Sequence, residues 1–224
     1  MSTPATLVEL LRGRAQRHPD RTALTFLLDG EEEGESLTYA ALEGEARRIA
    51  TLLAAEGLRG ERVLLLFPPG LAFVAAYFGC LYAGVVAVPV YPPRSNRHIG
   101  RLQAIVADAG ARAVLAPGSV IESLARHAAD TPQLAALRWI AAEAPSSADG
   151  WADPGAAPGD VAFLQYTSGS TSIPKGVRVT HASLLANQAM LRDAFGHGEG
   201  VRVVGWLPVY HDMGLIGNVL HPLF

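Results

Sequence analysis

Residues Thr167-Ser168-Gly169-Ser170-Thr171-Ser172 lie between an apolar run, VAFLQY (161–166), and the tripeptide Pro174-Lys175-Gly176. Glycine and small hydroxyl residues let a backbone turn present several N–H groups and short hydroxyl donors to one anion, and Lys175 adds a positive charge. That chemistry is phosphate binding. A Walker loop requires Gly-Lys-Ser/Thr directly before a helix, whereas here Gly176 and VRVT follow Lys175, which disfavours that class. Six small polar residues alone would read as a Ser/Thr/Gly linker; the strand before them and the PKG after them favour phosphate. Further along, Tyr210-His211-Asp212 is a second group able to do chemistry. A histidine standing alone is more often a hydrogen-bonded structural residue, so His211 takes a role only from its surroundings.

These residues need a scaffold, and the chain spells one out by alternation. Thr6 and Glu9 have capping-box spacing ahead of an apolar stripe at Leu7, Leu10 and Leu11, and Pro19 should end that helix near His18. TALTFLL (22–28) reads as a strand turning through Asp29-Gly30, with Glu31, Glu32, Glu33 and Glu35 as a solvated hairpin loop. A second helix starts near Thr38, places Leu42, Ala46, Ile49 and Leu53 on one face, spaces Glu43 and Arg47 for a pair, and closes at Gly57. VLLLF (63–67), a helix over 69–82 opened by Pro69, and VVAVPVY (85–91) make a buried βαβ unit. A helix over 97–109, a strand at AVLA (113–116), a helix over 121–129 and a strand at LRWIA (137–141) follow. Residues 142–160 read as a surface connection, VAFLQY restarts the alternation, and His181 begins a helix running to Phe195. The fold class is α/β: a mainly parallel sheet covered by helices on both faces.

Composition narrows the function. Half of the 224 residues are hydrophobic and 17% are charged, ample for a core. The net charge of -3 and the lack of a basic stripe argue against nucleic acid as a partner. Residues 63–93 carry no charged side chain, but Pro68-Pro69-Gly70, Gly79, Gly84, Pro89 and Pro92-Pro93 divide the run, so it is read as a βαβ unit and no membrane span is expected. Cys80 is the single cysteine and reads as a buried structural thiol. With no basic segment leading into an apolar one at the start, the chain is read as cytoplasmic.

YTSGSTSIPKGV (166–177), followed by Thr180-His181, resembles the ATP-phosphate loop of the adenylate-forming superfamily of acyl-CoA synthetases, peptide-synthetase adenylation domains and luciferases. WLPVYHDMGL (206–215) and GVVAVPVYPP (84–93) resemble its fatty acyl-AMP ligase branch. The resemblance implies that Thr167, Ser168, Gly169, Ser170, Thr171 and Lys175 bind the phosphates of ATP. It implies that His211 is catalytic, standing where a carboxylate meets the α-phosphate, since that reaction gathers negative charge. Trp206 and Tyr210 are read as packing residues that could line an acyl tunnel, and Asp212 either orients His211 or caps the following helix.

The activity implied is activation of a fatty acid by ATP to acyl-AMP with release of pyrophosphate, then transfer to the phosphopantetheine thiol of an acyl carrier protein. Such chemistry belongs to lipid metabolism and to polyketide or lipopeptide biosynthesis. A long-chain fatty acyl-CoA synthetase and a non-catalytic nucleotide-binding fragment are the alternatives. ATP comes with Mg2+, whose ligands are expected mostly outside this chain. The superfamily's later adenine and ribose contacts, hinge and C-terminal lysine also have no position here, and the apolar VLHPLF (219–224) lacks a cap. Residues 1–224 are therefore expected to be an incomplete N-terminal adenylation domain, without the small C-terminal domain.

Overall fold

Thr6 opens the first helix as its spacing predicts, its hydroxyl accepting the Glu9 amide at 3.1 Å. Helix α1 spans Leu7–Arg17 and stops at His18, ahead of Pro19. The computed structural model describes residues 4–93, 96–129, 131–167 and 174–224. Strand β1 (Thr22–Leu28) turns through Asp29 and Gly30, both at positive φ, into β2 (Glu32–Thr38). The acidic cluster expected as a loop is therefore mostly strand: Glu32, Glu33 and Glu35 lie in β2, exposed and paired antiparallel with β1. An exposed strand leaves its carboxylates in water, so their charge does not oppose pairing. Thr38 then caps α2 (Tyr39–Ala55), which buries Leu42, Ala46, Ile49 and Leu53 and pairs Glu43 with Arg47 at 2.7 Å.

Strand β3 (Arg62–Leu66), helix α3 (Leu71–Tyr82) and strand β4 (Val86–Val90) form the expected parallel βαβ unit. Helix α3 begins later than expected, with Gly70 as its N-cap, so Pro69 lies before the helix and does not open it. Cys80 is buried in α3, where desolvation pushes its thiol up and leaves it inert. Then come α4 (Asn96–Ala109), β5 (Ala113–Ala116), α5 (Gly118–Ala129), the single turn α6 (Pro132–Ala135) and β6 (Arg138–Ala141). Helix α5 starts ahead of the expected Ile121, because the Pro117 carbonyl accepts the Val120 and Ile121 amides at 2.9 and 3.1 Å.

The connection after β6 is pinned by Trp151. Its indole N–H donates to the Tyr82 carbonyl at 2.8 Å, and the Arg12 and Arg47 guanidinium groups stand 5.6 and 4.7 Å from its ring. Strands β7 (Val161–Thr167) and β8 (Lys175–Thr180) form an antiparallel hairpin, of which the sequence reading anticipated only the first strand. Helix α7 (His181–Phe195) follows, capped by reciprocal Thr180–Ser183 bonds. A π-helix over Met213–Leu220 and the short α8 (His221–Leu223) complete the order.

Strands β6-β5-β3-β4-β7-β8 form one sheet, parallel throughout except for β7–β8. Alternation along each strand divides the core in two. Val63 and Leu65 of β3 join α1, α2 and α3 on one face, while Leu64 and Leu66 join Leu102, Ile105 and Val106 of α4 on the other. Helices therefore cover both faces. Among the described residues no helix is long and apolar enough to cross a membrane.

Helices α2 and α3 cross at Gly79, where an added Cβ would stand 2.6 Å from the Ile49 Cβ. Gly79→Val is expected to cost about 1–3 kcal/mol through overpacking. Thermal unfolding should then fall by several degrees, and an unchanged melting temperature would refute the tight crossing.

A buried polar chain holds the π-helix against α7. The Gln188 side-chain amide donates to the Ile216 carbonyl at 3.2 Å, which leaves its oxygen to accept from His221 Nδ1 at 2.9 Å. His221 Nε2 must then accept from His197 Nδ1, 2.8 Å away. Burial, aided by the neighbouring His197, lowers the His221 pKa and keeps the ring in this neutral arrangement.

Candidate active site at the carboxyl ends of β4 and β7

Strands β4 and β7 are parallel neighbours, registered at Ala87 and Phe163. Their carboxyl ends emerge on the same edge, which brings Tyr91-Pro92-Pro93 alongside Thr167. Ligand crevices of open α/β sheets form at such an edge. Thr167 and Lys175 are cross-strand partners, the last pair and so the neck of the β7–β8 hairpin. Both are exposed. Lys175 is thus the first residue of a strand, its backbone fixed by pairing. Ser168, Gly169, Ser170 and Thr171 lie outside the described residues.

One pair back from the tip, Tyr166 faces Gly176. A Cβ on Gly176 would stand 2.9 Å from the Tyr166 ring, so glycine lets the ring cross the hairpin. The Tyr166 hydroxyl donates to Asp108 Oδ2 of α4 at 2.6 Å. Burial, and then this bond to Asp108, push the Tyr166 pKa up, so the phenol stays a donor. The β7 arm of the hairpin is therefore tied to α4 one residue before Thr167. Asp108 is too far along the chain from Tyr166 for any spacing rule to have paired them.

The segment 206–212 reaches the same edge. The Tyr210 ring packs edge-on against Tyr91, with centroids 4.9 Å apart, and the Tyr210 carbonyl accepts from Gln165 Nε2 of β7 at 3.2 Å. His211 follows, its side chain exposed and its amide donating to the Pro208 carbonyl at 2.9 Å. Gly214 lets the π-helix approach that turn: an added Cβ would stand 2.6 Å from the Pro208 carbonyl carbon. Asp212 Oδ1 accepts the Met213 amide at 2.7 Å, which is the capping geometry of the two roles considered for it.

Trp206 is 89% exposed, so among the described residues it is not the packing residue expected, in contrast to Tyr210, which is half-buried. His181 begins α7, as expected, and has a structural role as well. It is buried, and its Nδ1 accepts the Leu7 amide at 3.2 Å, tying α7 to the start of α1. Desolvation lowers its pKa and preserves that acceptor.

Thr167, Lys175, Tyr210 and His211 thus share one edge of the sheet. An exposed lysine on a paired strand and an exposed histidine on a hydrogen-bonded turn are side chains able to offset negative charge. The described residues bring together no group of three or more histidine, cysteine or acidic side chains able to hold a metal.

A family profile described as AMP-binding enzyme matches residues 11–224. The chain is 40% identical, over its whole length, to a medium-chain fatty acid–acyl carrier protein ligase, JamA, of Moorena producens, of which it covers 39%. It is 37% identical over 91% of its length to a long-chain fatty acid–AMP ligase, FadD32, of Mycolicibacterium smegmatis, covering 33% of that protein. A crystal structure of a Legionella pneumophila fatty acyl-adenylate ligase, in complex with acyl adenylate and pyrophosphate, superposes with a TM-score of 0.90 at 40% identity. That match covers 99% of this chain and 38% of the other. The chain spans between a third and two-fifths of the length of these relatives. The parallel sheet that brings the β7–β8 hairpin and the His211 turn to one edge is thus that of a known family: the profile match over nearly the whole chain shows that it belongs to the AMP-binding enzyme family.

Proposed function

We propose that the full-length protein containing this chain activates a fatty acid with ATP and passes the acyl group to an acyl carrier protein. The observation that carries this reading is the seating of His211 on the sheet edge that also bears the Thr167–Lys175 hairpin neck. In the first step a carboxylate oxygen attacks the α-phosphorus, a P–O bond forms, and the bond to the leaving pyrophosphate breaks. Lys175 and the donors of 167–171 hold the phosphate oxygens, and His211 offsets charge where the carboxylate meets the α-phosphate. In the second step a phosphopantetheine thiol, losing its proton, attacks the acyl carbon; a thioester forms and AMP leaves. In this reading Trp206 and Tyr210 border the acyl chain, and Asp212 supports His211 by capping the helix after it.

The same reading makes residues 1–224 part of a larger N-terminal adenylation domain, supported by their covering between a third and two-fifths of the relatives. It makes the enzyme cytoplasmic, where ATP and a reduced carrier thiol are both at hand. Names of relatives that include an acyl carrier protein ligase support the acceptor.

The acceptor also has a physical test. A carrier's pantetheine arm and coenzyme A share their reactive end, but the coenzyme adds a bulky charged nucleotide that an enzyme can reject by leaving it no site. Full-length protein with ATP and labelled fatty acid is expected to form acyl-AMP, load a carrier protein, and make little acyl-CoA. Acyl-CoA forming as fast as acyl-carrier protein would make the enzyme an ordinary acyl-CoA synthetase.

A further inference from the structure

We infer that Gln165 is a positioning residue for His211, fixing through its side-chain amide where the histidine stands relative to the phosphate hairpin. The inference rests on the reading of His211 given above.

Gln165 lies on β7 just before Thr167, within a strand otherwise apolar from Val161 to Leu164. It is 6% exposed. A buried amide is destabilising unless its hydrogen bonds are made, so an apolar side chain would serve a purely structural position better. Here the bonding is lopsided. Nε2 donates to the Tyr210 carbonyl at 3.2 Å and lies 3.5 Å from the Tyr166 carbonyl, while Oε1 is buried with no hydrogen-bond partner among the described residues. The amide is thus kept for what its N–H reaches.

What it reaches is the peptide unit of His211. The Tyr210 carbonyl and the His211 nitrogen belong to one planar group. Gln165 holds the oxygen end of that plane, and the Pro208 carbonyl holds its N–H end at 2.9 Å. A plane clamped at both ends sets the direction in which the His211 Cα leaves it. Because the Gln165 clamp comes from β7, that direction is referenced to the strand that delivers Thr167. Strand and turn, distant in sequence, are thereby held in one geometry. Positional errors of this kind, away from the reacting atoms, can cost a hundredfold in rate.

The test uses the full-length protein and fatty-acid-dependent pyrophosphate–ATP exchange. Gln165→Met keeps the volume and removes the donor. It is expected to lower kcat about tenfold to a hundredfold while KM for ATP stays within about threefold, since the phosphate contacts are untouched. Combined with His211→Ala it should add almost nothing to the loss from His211→Ala alone, the signature of two residues acting as a unit. Gln165→Glu supplies a rescue that a space-filling role would not show. Its protonated carboxyl can donate to Tyr210 and its carboxylate cannot, and burial raises its pKa. Activity should therefore be restored toward acid pH and fall as pH rises, a limb absent from the wild type. If the methionine variant fails to fold, this pH profile decides. Full kcat in the methionine variant, a loss additive with that of His211→Ala, or a flat glutamate profile would each overturn the inference. Wild-type protein without fatty-acid-dependent exchange, or full activity in His211→Ala alone, would instead overturn the functional reading beneath it.

Discussion

His211→Ala in the full-length protein is expected to slow acyl-adenylate formation about a hundredfold to a thousandfold, the range for loss of one charge-stabilising donor. The imidazole is exposed at the sheet edge, so its removal leaves no cavity, and melting should stay near wild type. The backbone around it is held independently, by the bond between its amide and the Pro208 carbonyl and by that between the Leu215 amide and its own carbonyl at 2.8 Å. A large loss of rate without a loss of stability therefore isolates the side chain. Since the donor is needed as charge gathers on the α-phosphate, the effect should fall on kcat more than on KM for the fatty acid. The measurement is single-turnover formation of acyl-AMP beside a thermal melt. A variant as fast as wild type would remove His211 from the chemistry.

Lys175→Ala is expected to have the next largest effect, about tenfold to a hundredfold in kcat/KM for ATP, with little change in melting temperature. A lysine contributes a point charge to phosphate rather than a bidentate fork, which sets a smaller loss than for a group at the reacting centre. Its backbone pairing with Thr167 is independent of the side chain, so the hairpin should persist in the variant. Lys175→Arg should recover part of the activity, because the charge returns in a different shape. Titration with ATP at saturating fatty acid separates the cases. Unaltered kcat/KM would show that the hairpin does not hold phosphate through this residue.

The sequence was most legible where structure is local. The Thr6 and Thr38 caps, the apolar face of α2, the apolar β4 and the apolar run of β3 after Arg62 each depend on residues within a few turns of one another. The misplacements are also local, and physical. Pro69 signals a helix start, yet Gly70 takes the cap, and the acidic hairpin hides a strand because exposed strands need no apolar alternation. Strand β8 has the β-branched Val177, Val179 and Thr180 expected of a strand, but the phosphate motif drew the reading past them. At the site, Thr167, Lys175 and His211 stood out by type. Gln165, Asp108 and Gly214 did not, because what they do depends on Tyr210, Tyr166 and Pro208, which only the fold brings near.

The seam between β4 and β7 also bears on the order in which the molecule forms. Ala87 and Phe163 meet across more intervening chain than any other neighbours in the sheet, because α4, β5, α5, α6, β6 and the Trp151 connection are threaded between them. Pairing of β3 with β4, and then with β5, closes shorter loops and can proceed while β7 is still being synthesised. Until β7 arrives, β4 is an open edge. The site is thus assembled on the joint expected to close last, and a ligand held on both sides of that joint favours the closed over the open chain, acting on the final step of folding as well as on chemistry.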